Sequence, residues 1–131
     1  MQHKTGELKI AREWLNRARG NFARASQEKP KEAYWEDLCF DTHQAAEKAL
    51  KALMICKGLK FTFTHDLASL LEQLSDGGIH APSIVKAAAS LTEYAVQTRY
   101  PGWGEPVTEQ DYRQAIAASK SVLEWVEGLF G

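Results

Sequence analysis

The chain holds little of what marks secreted, membrane or phosphate-loop proteins. Its only cysteines are Cys39 and Cys56. Both fall in one helical run, too far apart along its axis to bridge. No Cys-x-x-Cys spacing occurs, so neither a redox motif nor a cysteine-based zinc site is offered. The amino-terminal segment lacks an apolar signal core, and no stretch approaches the roughly 20 apolar residues a membrane helix needs. A reducing cytoplasm is therefore the expected compartment, with no membrane partner. Charge of one sign is lacking too: the net charge is −1, which excludes a whole-molecule attraction to nucleic acid or to an anionic surface. Gly77-Gly78 lacks the pattern of a phosphate cradle, and the serines occur without a nucleophile elbow.

What is there is helix. With 131 residues, 44% hydrophobic and 25% charged, the chain is long enough for one domain, residues 1–131, with a real core. Ala11, Trp14, Leu15, Ala18, Phe22 and Ala25 recur at the 3–4 spacing of one apolar stripe over residues 7–26, and Pro30 follows. Residues 32–57 form the longest periodic segment. It has small residues at 45, 46, 49 and 52 that admit a close neighbour, and Gly58 stands where a helix-ending glycine belongs. A short helix is expected at roughly 65–75, capped by Thr64 or Asp66, and Asp76-Gly77-Gly78 breaks it. Pro82 suits the first turn of a helix over 82–98. Pro101, Gly102, Gly104 and Pro106 then prevent regular structure, and Thr108-x-x-Asp111 reads as a capping box opening a helix over about 109–129. No segment alternates with period two. The expected fold is all-α, an antiparallel up-down bundle of four long helices plus one short one.

Chemistry-bearing residues concentrate in two places. On the second helix Phe40, His43, Gln44, Glu47, Lys48 and Lys51 lie within one sector. His43 and Glu47 are one turn apart, so they can pair, meet a ligand, or share a metal. A metal needs a further ligand, for which Cys39 and His65 are the candidates; the plainer reading is a polar strip bonded to another helix, and no metal or cofactor is expected. His65-Asp66 invites comparison with metal phosphohydrolases, though a first-turn Asp and a capping neighbour account for the pair. The second place is Arg99-Tyr100-Pro101. Proline biases Tyr100 away from helical angles, leaving the guanidinium at a helix end. There Arg99 can fork onto a carboxylate such as Glu47, or onto a phosphate. Trp103 reads as a lid over the bundle or an exposed contact residue.

Four motifs in order resemble the HEPN family, small helical domains named for nucleotide binding in higher eukaryotes and prokaryotes. They are Trp14-Leu15-Asn16-Arg17-Ala18, then the run from Phe40 through Gln44-Ala45-Ala46-Glu47-Lys48 to Lys51-Ala52-Leu53, then Thr64-His65-Asp66-Leu67, then Thr98-Arg99-Tyr100-Pro101. The resemblance spans about Ile10 to Leu129 and implies an up-down bundle with a short extra helix. It also implies a homodimer, and a role beside a minimal nucleotidyltransferase in a toxin–antitoxin pair, or nucleotide binding. Some branches are metal-independent ribonucleases with a His four to six residues after the motif Arg. Here Arg99 is followed by Tyr100-Pro101-Gly102-Trp103-Gly104-Glu105-Pro106, without that His. The expectation is thus a non-catalytic binding module with no catalytic residues, for a nucleotide or a nucleotidyltransferase partner, and no nucleic-acid partner. Its ligand-binding set is His43, Glu47, Lys48, Lys51, Arg99 and Tyr100; the ribonuclease is the disfavoured alternative.

Overall fold

The structure, a computed structural model, describes residues 2–95 and 105–130, with side chains from residue 7 onward. The elements are α1 (Gln2–Ala25), α2 (Trp35–Cys56), α3 (Leu67–Asp76), α4 (Ser83–Ala87) running on as a 3₁₀ stretch (Ala88–Tyr94), and α5 (Glu109–Leu129). No strand occurs among the described residues, and no helix there is long and apolar enough to cross a membrane.

α2 is the axis of the bundle, with α1, α5, α3 and the 3₁₀ stretch all packed against it. Its alanines explain this place: Ala45, Ala46, Ala49 and Ala52 are fully buried, and Ala46, Ala49 and Ala52 share one core cluster with Leu15 and Ala18 of α1. Small side chains let helix axes approach closely, and that approach removes the flanking leucines from water. Leu50, Leu53, Leu67, Leu70, Leu74, Val122 and Val126 fill the remaining space at 0–1% exposure. α5 is tied across the bundle by two hydroxyls. Ser119 donates to the Thr42 carbonyl at 2.9 Å, and Tyr112 donates to the carbonyl that ends α1, Ala25, at 2.6 Å.

The helix ends follow local chemistry. Gly58, with φ +72°, closes α2 in the left-handed region that favours glycine. Asp66 caps α3, accepting from the Ala68 amide at 3.1 Å. Thr108 and Asp111 form the reciprocal capping box of α5. One expected element differs. The helix expected over 82–98 is α-helical only to Ala87 and tightens to 3₁₀ from Ala88 to Tyr94. Two aliphatic hydroxyls lie in the tightened stretch: Ser90 donates back to the Ala87 carbonyl, and Thr92 accepts from the Leu67 amide at the start of α3. Side-chain bonds of this kind compete with the helical ladder. Residues 96–98, the expected end of that helix, lie outside the described residues, as do Arg99, Tyr100 and Trp103.

Candidate functional site

The polar row of α2 divides into two settings, because successive turns of a central helix face different neighbours. His43, Glu47 and Lys51 look toward the segment that links α2 to α3. All three are buried, at 0%, 4% and 4% exposure. Glu47 is the hub: Oε2 accepts from Lys51 Nζ at 2.8 Å and Oε1 accepts from His65 Nδ1 at 2.7 Å. Burial alone would push the Glu47 carboxyl up, but the hydrogen bonds and charges of Lys51 and His65 outweigh it and hold it below its ordinary value. The carboxylate is therefore ionised, and His65 must carry its proton on Nδ1. Lys51 also sits between two rings, with Nζ 5.8 Å from the Trp14 centroid and 5.6 Å from that of Phe61.

His43 is held differently. Its Nε2 donates to the His65 carbonyl at 2.8 Å, since a carbonyl only accepts, and stands 3.9 Å from Glu47, too far for a hydrogen bond. Burial lowers the His43 pKa, against the pull of that carbonyl and of Glu47, so the ring is neutral. Residue 65 is thus gripped twice by α2, through its carbonyl and through its ring, while the ring itself stays 70% exposed.

Lys48 lies on the other side, facing α1. It is half-buried and donates to Asn21 Oδ1 at 2.8 Å; Asn21 in turn donates to Asp41, which also holds Arg24 at 2.6 Å. Arg17, exposed on α1, pairs with Glu13. Burial, together with the positive fields of Arg17 and Arg24, lowers the Lys48 pKa against the pull of Glu47 and Asp41. Three cations therefore converge here, two of them each paired with a carboxylate.

Of the six expected contact residues, the structure brings His43, Glu47 and Lys51 into one buried network and places Lys48 in a separate cation cluster. Arg99 and Tyr100 fall outside the described residues. No group of three or more His, Cys, Asp and Glu is arranged for a metal among the described residues.

The same fold recurs in known proteins. The family model of the HEPN domain matches residues 11–129. The chain belongs to the HEPN family. Its fold is similar to TT1696 from Thermus thermophilus, with 28% identity over 98% of both chains and a TM-score of 0.64. It is similar also to ST0689, an archaeal HEPN homologue, with 27% identity over 96% of both chains and a TM-score of 0.58. A HEPN domain protein of Thermotoga maritima, TM0613, shares the fold at 20% identity, covering 95% of this chain and 96% of that one, with a TM-score of 0.57. None of the curated proteins matches the chain.

The partners of the HEPN motif residues were the least visible part of the sequence. Asn21 carries no motif of its own, and Arg17 and Arg24 belong to an amino-terminal excess of basic residues that reads either as a local basic face or as a solvated helix surface. His65 was visible as one member of a dipeptide and as a candidate ligand beside His43 and Glu47, but nothing local fixed its ring against the Glu47 carboxylate, 18 positions earlier. The signal that was available is compositional: a Glu and a Lys four apart on an alanine-rich helix need partners wherever that helix is buried.

Proposed function

We propose that this HEPN protein is a binding module rather than an enzyme. It takes a nucleotide, or docks a minimal nucleotidyltransferase as half of a toxin–antitoxin pair. The phosphate or the acidic partner surface meets the cation cluster at Lys48. One observation carries this reading: Lys48 is half-buried in the field of Arg17 and Arg24, a setting whose lowering of the Lys48 pKa a bound anion would offset. Binding an anion there relieves repulsion that the folded protein already contains, which makes the site selective for negative charge. Arg99 and Tyr100 complete the contact set on the next motif. His43, Glu47 and Lys51 act from behind, by fixing the helix that presents Lys48. The assembly is a homodimer, to be checked by sedimentation.

Thermal unfolding with a panel of nucleotides tests the nucleotide arm. A ligand at about 100 times its Kd stabilises a fold by about 2.7 kcal/mol. That shift should vanish in Lys48→Met and in Arg99→Ala while both variants keep the parent's helical content. A flat panel in the parent removes the nucleotide. The partner arm then stands or falls on whether a co-expressed minimal nucleotidyltransferase co-purifies with the parent and not with Lys48→Met.

A further inference from the structure

The network behind the α2–α3 linker holds one group that the binding reading leaves unused, the outer nitrogen of His65. We propose that His65 is an acceptor site for activated phosphoryl groups of the phosphoramidate or acyl phosphate class, and that Nε2 is the atom modified. The proposal stands apart from the binding site at Lys48 and does not depend on it.

Three features of the geometry combine. First, the tautomer is fixed. Glu47 accepts the Nδ1 proton at 2.7 Å, so the neutral ring carries its lone pair on Nε2. Second, the lone pair is open to reagents, because the ring is 70% exposed while the carboxylate behind it is only 5% exposed. Third, the carboxylate is kept charged without consuming the imidazole. Lys51 holds the other oxygen at 2.8 Å and is itself buried, so the imidazole is not the only group that stabilises the Glu47 anion. A ring nitrogen backed by a buried carboxylate is the arrangement that stabilises an imidazole as it becomes positive, as in hydrolase triads. Here no serine lies between the ring and the solvent, so the nucleophile is the imidazole itself.

The step balances without a redox partner. The Nε2 lone pair forms an N–P bond as the P–N bond of a phosphoramidate breaks. Ammonia leaves with the electron pair of that bond, and the zwitterionic donor has already placed a proton on it. The ring keeps its Nδ1 proton and gains one positive charge, which faces Glu47. With an acyl phosphate the bond that breaks is P–O and a carboxylate leaves. His80 provides a reference within the same molecule. It is likewise exposed, but its Nδ1 partner is the Ser75 hydroxyl at 2.8 Å, which brings no negative charge.

The test is incubation of the intact protein with potassium phosphoramidate at neutral pH. Phosphorus NMR identifies the nitrogen modified, and peptide mass spectrometry measures each histidine. The expected result is labelling of His65 on Nε2 at about 10- to 100-fold the rate of His80, the range over which a supporting carboxylate usually acts. The preference should disappear in urea. It should also fall by about the same factor in Glu47→Gln, whose amide oxygen can still accept the Nδ1 proton but carries no charge. Equal rates at the two histidines in the folded protein overturn the proposal, and so does labelling of His65 on Nδ1. The comparison within the parent decides the matter even where the variant fails to fold.

Discussion

Replacing Glu47 by leucine should be among the most destabilising single changes in this protein. Replacing Lys51 at the same time should undo most of the damage. Leucine at 47 leaves the Lys51 ammonium 4% exposed and deprived of Glu47, the carboxylate it donates to. Stranding one member of a buried ion pair typically costs about 3–5 kcal/mol. The Trp14 and Phe61 rings within 6 Å of Nζ remain and retain about 0.5–2 kcal/mol of attraction, which favours the lower half of that range. For a domain of this length the loss is a fall in Tm of about 10–20 °C. In Glu47→Leu/Lys51→Met both charges are gone and two apolar side chains of similar volume fill the space, a replacement that is often neutral or stabilising. His65 loses its acceptor, but at 70% exposure its Nδ1 finds water. Chemical denaturation of the parent, the two single variants and the double variant gives the coupling directly, and about 2 kcal/mol or more is expected. A cost below about 1 kcal/mol for Glu47→Leu, or a double variant no more stable than it, would refute the reasoning. The acid limb offers a second check. The Glu47 carboxyl is held below its ordinary value, so its contribution is complete above the unfolded carboxylate range of about pH 4.3. It is lost as acid carries the pH down through the lowered folded value, and the gap between parent and Glu47→Leu should narrow over that interval.

Two further predictions concern the core. Ala46→Leu should lower stability by about 1–3 kcal/mol in equilibrium unfolding, because Ala46 is 0% exposed on the crowded side of α2; a variant as stable as the parent would mean that α1 and α2 do not meet there. Burial, with the charges of Asp111 and Glu36, pushes the Cys39 thiol up to about 12, whereas Cys56 is half-buried. A thiol reagent at pH 8 should therefore label Cys56 first and Cys39 only on unfolding, as read by mass spectrometry; equal rates would contradict the burial of Cys39.

Much of the frame follows from local rules. Residues 109–129 were expected as the last helix and form α5, because the Thr108–Asp111 box and the apolar stripe behind it are both short-range. The same holds for Gly58 at the end of α2 and Asp66 at the start of α3. The break of α4 into 3₁₀ was not legible. Periodicity continues through Ala88, Leu91 and Tyr94, and the Thr92 hydroxyl in the tightened stretch bonds to Leu67, 25 residues away.

The sequence by itself determined that this is a helical bundle of the HEPN type, where most of its helices begin and end, and which face of α2 is lined with alanine. Those properties depend on spacing within a turn or two, and spacing is written in the chain. Only the tertiary structure decided where each member of the polar row of α2 lies and what it touches. His43, Gln44, Glu47, Lys48 and Lys51 look alike as a sector on a helical wheel, but burial depends on which element packs over each turn. The α2–α3 linker covers Glu47 and Lys51 and leaves the His65 ring in solvent, whereas α1 brings two arginines to Lys48. A charge is worth little in water and a great deal where water is excluded, so the same residue types became a buried tie on one side and a cation cluster on the other.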